Sequence, residues 1–276
     1  MDKPAGPTSH DVVAQARRVF KERSIGHTGT LDPFASGLLV LLLGKGTRVA
    51  RFLDGLAKTY LATARLGQRT TTDDLTGEPV GEGFEGEGPG RARIAEALAG
   101  FVGAQEQMPP AYSAKKQGGE RAYARARRGE VVELAPAAVT VYAAELLAVE
   151  GRDVTFRVTV STGTYIRALA RDLGEALGTG AHLTALRRES IGSLEVENAV
   201  PLGALEPGTP LWPLGAVLGH LPRVVVDEAG RKDLSHGRPV RGVTVGTVVL
   251  ASDAEVIAVG EGDGEWLKPT VVLVAP

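Results

Sequence analysis

Cysteine is missing from all 276 residues. Its absence excludes disulfides, iron–sulfur clusters, thiolate zinc sites and cysteine nucleophiles together. Long apolar runs are missing too. The longest, Leu38–Leu43, is far short of the ~20 residues that cross a bilayer. No basic segment followed by an apolar stretch stands behind Met1, so no secretory signal is visible. Net charge is nearly absent: 31 Lys and Arg against 33 Asp and Glu leave −2, which argues against a uniformly basic nucleic-acid coat. What is present is an ordinary globular mixture, 43% apolar and 23% charged. A chain of this length buries roughly 70–75% of its unfolded surface and needs no covalent or metal staple. Disorder and membrane spanning are excluded as main states, and a soluble cytoplasmic protein is the expectation.

The charge is unevenly spread. Residues 1–60 carry nine basic and five acidic side chains, and residues 109–129 carry six basic residues against Glu120 alone. Acid gathers in Asp73, Asp74, Glu78, Glu82, Glu85 and Glu87, and in the C-terminal region. Such asymmetry fits a polyanion held on one face, and equally a solvated surface.

Thr8 and Asp11 read as a capping box opening a helix, with Val12, Ala16, Val19 and Phe20 on one side. Gly26 to Pro33 reads as a loop, Leu38–Leu43 as a buried apolar segment, and Thr59–Leu66 as a strand. Gly81–Gly90 reads as a connection, and Ile94, Leu98 and Phe101 mark a short helix. Val154–Val160 alternates as a half-buried strand, and Ile166, Leu169, Leu173 and Leu177 form the stripe of a helix stopped by Gly178. Strands and helices mix without strict alternation, which predicts an α+β fold. Proline and glycine cluster between Glu206 and Leu221, and short β-rich runs beyond them suggest a small barrel or sandwich. The expected domains are residues 1–219 and 220–276.

Four local patterns are rejected. Gly81–Gly86 fits G-x-G-x-x-G, but no convincing strand precedes it and its glutamates would repel a pyrophosphate. Gly44–Thr47 lacks the hydroxyl residue after lysine that a phosphate loop needs. Ser113 and Lys116 match one β-lactamase element without its companions. Asp73-Asp74 could hold a divalent ion, yet adjacent acids in a threonine-rich turn are read as a solvated cap.

The segment Gly26-His27-Thr28-Gly29-Thr30-Leu31-Asp32-Pro33 is the most unusual in the chain. Its glycines permit close backbone approach to a ligand, and Pro33 biases Asp32 toward an extended conformation. The bland alternative is an Asx-Pro turn. Four more segments look tailored: Asp2-Lys3-Pro4-x-Gly6-x-Thr8-Ser9, Lys58-Thr59-Tyr60, Pro109-Pro110-x-Tyr112-Ser113-Ala114-Lys115, and Gly163-Thr164-Tyr165-Ile166-Arg167. With the stretch Leu66–Gly77 and the Ala185–Arg188 motif, these resemble the TruB-type tRNA pseudouridine synthases from Asp2 to about Gly192. The C-terminal residues resemble a PUA-type RNA-binding domain more weakly, through Leu234-Ser235-His236-Gly237 and Val256–Glu261. One departure is that Asp2 follows Met1 directly, where family members carry several apolar residues. Either that strand is shortened or the start lies upstream.

The resemblance implies a pseudouridine synthase fold with a mixed, mainly antiparallel central sheet, plus a small β-barrel-like PUA domain. It implies isomerisation of uridine 55 in the tRNA T-loop. The C1′–N1 bond breaks, the base turns, and C1′ joins C5, with no net consumption of electrons, phosphate or water, so no cofactor and no metal are expected. Asp32 would be the nucleophile, on C1′ or C6, with Arg167 pairing it and lowering its pKa. Tyr60 would stack on the flipped uracil and handle the C5 proton, and His27 would fill the gap that the base leaves. Leu186 and Tyr165 would line the pocket, though core packing serves Tyr165 as well. Lys115, Lys116, Arg125 and Arg128, in an insertion at about 105–135, would grip tRNA phosphates. The expected partner is tRNA, through its T-arm and acceptor end, met by a monomer with no membrane attachment. Two alternatives stand beside this: a tRNA-binding folding chaperone without chemistry, and a nucleoside or glycoside hydrolase. The hydrolase lacks the second carboxylate in the motif.

Overall fold

The computed structural model describes residues 1–110, 116–117, 120–121 and 135–275. They form two compact units. One comprises Met1–Asp32, Leu39–Gly55 and Gly192–Pro276, and the other Pro33–Leu38 and Leu56–Ile191.

The second unit is built on a mixed, mainly antiparallel sheet in the strand order Ser36–Leu38, Ala181–Ile191, Lys58–Leu66, Asp153–Val160, Ala137–Glu150, Gly103–Gln107. Only the first pairing is parallel. Strand Lys58–Leu66 alternates as its sequence predicts: Tyr60, Ala62, Ala64 and Leu66 are buried, whereas Arg65 is exposed. Tyr60 pairs with Arg188 on one side and Val158 on the other, and Ala62 pairs with Leu186 and Phe156. Cross-strand partners share a face, so these residues meet on the buried side. Helix Ile166–Leu177 buries Leu169, Leu173 and Leu177 and ends at Gly178 in the left-handed region. Helix Arg91–Ala99 buries Ile94 and Leu98 and stops before Phe101. The long strands Ala137–Glu150 and Ala181–Ile191 were not visible as elements in the sequence, because neither alternates cleanly along its length.

In the first unit, helix Ser9–Phe20 begins at Thr8 with both halves of the capping box formed. Its Val12 and Ala16 are fully buried, and Val13 and Ala16 pack with Ile25. The segment read as a loop from Gly26 is in part a strand: Ile25–Thr28 pairs antiparallel with Val40–Leu43. The Leu38–Leu43 run is therefore divided, with Ser36–Leu38 a strand of the other unit. The N-terminal strand is only Asp2–Lys3, and Asp2 N–H donates to the Val200 carbonyl at 2.8 Å.

The C-terminal part of this unit is a five-stranded, partly closed sheet in the order Arg223–Val225, Val245–Ser252, Glu255–Asp263, Trp266–Val272, Val240–Arg241. Helix Glu228–Ser235, capped by Asp227, inserts Leu234 among Val248, Leu250, Ile257, Ala258 and Leu267. Among the described residues no helix is long and apolar enough to cross a membrane.

Candidate active site

The second unit holds Tyr60, Tyr165, Arg167 and Leu186. Tyr60 and Leu186 are both mostly buried and lie on the same sheet face. Tyr165 is the N-cap of helix Ile166–Leu177. Its N–H donates to Gln107 Oε1 at 2.8 Å, and its carbonyl accepts from Gln107 Nε2 at 3.1 Å. A buried glutamine thus fixes the backbone from which Arg167 springs. One residue into the helix, Arg167 is 5% exposed. Its Nη1 donates to the Thr72 carbonyl at 3.0 Å and stands 3.5 Å from Asp74 Oδ2.

Asp73 and Asp74 overturn their reading as a solvated cap. Both are buried, 8% and 4% exposed. Asp74 Oδ1 accepts from Thr72 Oγ1 at 2.7 Å, Thr76 N–H at 2.9 Å and Thr76 Oγ1 at 2.6 Å. The turn is pinned to the sheet by the Leu183 N–H, which donates to the Asp73 carbonyl at 3.0 Å. Asp73 itself has left-handed φ (59°) and pairs with Arg171, one helical turn beyond Arg167, at 3.1 Å. Adjacent acids are driven inward because two helix arginines, four residues apart, meet them one each. Burial pushes the Asp73 carboxyl above the usual carboxylate range, against the pull of Arg171 and Arg167. Arg171 moves upward: burial opposes its charge, but Asp172 and Asp73 outweigh it. Sequence reasoning placed a threonine-rich turn here but missed that its acids are buried and paired. The signal was the spacing of Thr70, Thr72 and Thr76 around Asp74: Thr72 and Thr76 supply hydroxyl donors to its carboxylate, and Thr70 supplies one to its main-chain carbonyl.

The first unit holds His27 and Asp32. His27 lies in strand Ile25–Thr28, half-buried, with the His10 ring edge-on to it at 5.6 Å between centroids. Asp32 is half-buried and follows Leu31, whose backbone is held by Ser9. Gly29 takes left-handed φ (65°) in the turn between them, a conformation that glycine adopts without a Cβ clash. Lys116 falls in a short strand, Lys116–Gln117, that pairs with Glu120–Arg121. Lys115, Arg125 and Arg128 lie outside the described residues.

Residues 17–166 match the family model described as TruB family pseudouridylate synthase (N terminal domain), and residues 167–212 that of the tRNA pseudouridylate synthase B C-terminal domain. A tRNA pseudouridine synthase B of Burkholderia lata is 46% identical over 245 residues, covering 86% of this chain and 75% of its own length. That of Leifsonia xyli subsp. xyli is 47% identical over 245 residues, covering 86% and 81%. A solved H/ACA RNP bound to a substrate RNA containing 2′-deoxyuridine superposes with a TM-score of 0.76 at 27% identity, over 99% of this chain and 83% of that one. With more than half its length matched and relatives this similar, the chain belongs to the TruB family of pseudouridylate synthases.

Proposed function

We propose that this protein converts uridine to pseudouridine in tRNA, at position 55 of the T-loop. The observation that carries this reading is the intact Gly26–Pro33 segment with Asp32 in a chain whose relatives are named tRNA pseudouridine synthase B. The roles are those the family resemblance implies, and each has a chemical rationale. A T-loop uridine is stacked and hidden, so it must be flipped out, and an aromatic platform such as Tyr60 offsets part of the few kcal/mol this costs. Asp32, as a carboxylate, attacks C1′ or C6 and departs again as a stable anion. Arg167 orients it, His27 fills the vacated stack, and Leu186 and Tyr165 line the base pocket. The basic residues Lys115, Lys116, Arg125 and Arg128 contact phosphates, which supplies affinity more than sequence choice. Residues 220–276 act as a PUA-like contact to the acceptor end. The protein acts as a monomer in the cytoplasm, where its substrate is.

A tRNA-folding chaperone without chemistry would have no use for a carboxylate in the base pocket. Tritium release from tRNA transcript labelled at uridine C5 tests the proposal directly. Stoichiometric release from a wild-type T-arm and none from one with cytidine at position 55 is expected. No release from any uridine in the transcript would overturn it.

A further inference from the structure

Thr8 caps helix Ser9–Phe20, accepting from Asp11 N–H, so the helix start does not need the hydroxyl of Ser9. Ser9 is nevertheless 1% exposed, and its hydroxyl is doubly used. It accepts from the Leu31 N–H at 3.0 Å and donates to the Leu31 carbonyl at 3.1 Å, across 22 residues of sequence. One side chain thus satisfies both main-chain groups of the residue immediately before Asp32, as a neighbouring strand would. Leu31 is itself buried, 3% exposed, and acts as an anchor. On the other side of Asp32, Pro33 restricts the backbone toward extended conformations. The next helix residue, His10, sets its ring edge-on to His27, with planes at 82°. Adjacent residues of one helical turn therefore hold the two ends of the segment His27–Asp32.

We propose that the first turn of this helix is a jig for that segment, with Ser9 a positioning residue for the Asp32 carboxylate and His10 one for the His27 ring. The assignment rests on the roles given above to Asp32 and His27. Its physical basis is that a reacting group displaced by about 1 Å can lose on the order of a hundredfold in rate without losing substrate. A role confined to stability would instead lower the melting temperature and leave the saturated rate alone.

The test uses the full-length protein, with single-turnover tritium release at saturating tRNA, tRNA affinity by filter binding, and thermal melting measured for each variant. Ser9→Ala should lose about tenfold or more in the saturated rate while its tRNA dissociation constant stays within about threefold. His10→Ala should slow the same step, and His10→Phe, which keeps a ring edge, should restore it. Asp32→Asn, run in parallel, separates two kinds of failure. Turnover by Asp32→Asn would overturn the reading of the site whatever Ser9 does. Inactive Asp32→Asn beside Ser9→Ala at the wild-type saturated rate, below its melting temperature, would overturn the positioning role. If Ser9→Ala does not fold, Ser9→Cys decides, since its longer C–S bond shifts Leu31. A rate like that of wild type refutes the jig, and a loss of about tenfold supports it.

Discussion

Arg167 and Asp74 stand 3.5 Å apart with 6% and 5% of their side chains exposed. The pair is divided cleanly between the carboxylate oxygens. Oδ1 is saturated by Thr72 and Thr76, and Oδ2 is left to the guanidinium. A buried ion pair is tolerable only when such extra hydrogen bonds offset desolvation. The threonine turn provides them here, so the helix can start with an arginine underneath it.

Asp74→Ala removes the acceptor and leaves Arg167 with less compensation inside the unit. A loss of about 3–5 kcal/mol is typical for one broken partner of a buried pair. Denaturant unfolding of the full-length variant should show a destabilisation of that order. A loss under about 1 kcal/mol would mean the pair behaves like a surface one.

Asp32→Asn should abolish pseudouridine formation while tRNA affinity changes less than about tenfold, or ~1.4 kcal/mol. Asparagine keeps the shape of the side chain but cannot serve as an anionic nucleophile. Residual turnover above about one per cent of wild type in the purified variant would remove the assignment.

Asp263 accepts from the Glu265 and Trp266 N–H groups and from Lys268 Nζ. With the Trp266 N–H as the largest cause, its carboxyl is held down to about 2. A depressed folded-state pKa contributes stability that is present above the unfolded value and disappears as pH falls through the folded one. The wild type should therefore be more stable than Asp263→Asn at neutral pH, and the gap should close between about pH 4 and pH 2. A gap independent of pH would show that the ionised form is not what the turn prefers.

Replacing Lys115, Lys116, Arg125 and Arg128 together should flatten the dependence of tRNA affinity on salt. Every phosphate that is no longer neutralised takes roughly 0.7–0.9 off the slope of log affinity against log salt. Single-turnover rate at saturating tRNA should move far less, since none of the four is assigned to the chemistry. An unchanged slope would take these residues off the binding surface.

Local chemistry was legible from the chain alone wherever partners are near in sequence. Thr8 and Asp11 cap each other within one turn, Gly178 ends its helix, and period-two alternation marked strands Lys58–Leu66 and Asp153–Val160. Those are interactions within a few residues, which propensity and periodicity encode. The segment around Asp32 was also conspicuous, because its glycines and proline are local backbone constraints. What only the tertiary structure decided depends on partners far away. Asp73 and Asp74 look like solvated acids until Arg167 and Arg171, more than ninety residues on, neutralise them and allow burial. Leu38–Leu43 reads as one apolar segment until Gly37 brings its backbone against Arg188 so closely that a Cβ would lie 2.3 Å from the carbonyl oxygen. Ser9 looks like a spare helix-start hydroxyl until it meets Leu31. A charge or hydroxyl carries no mark of its environment in the sequence, because desolvation is a property of what packs around it.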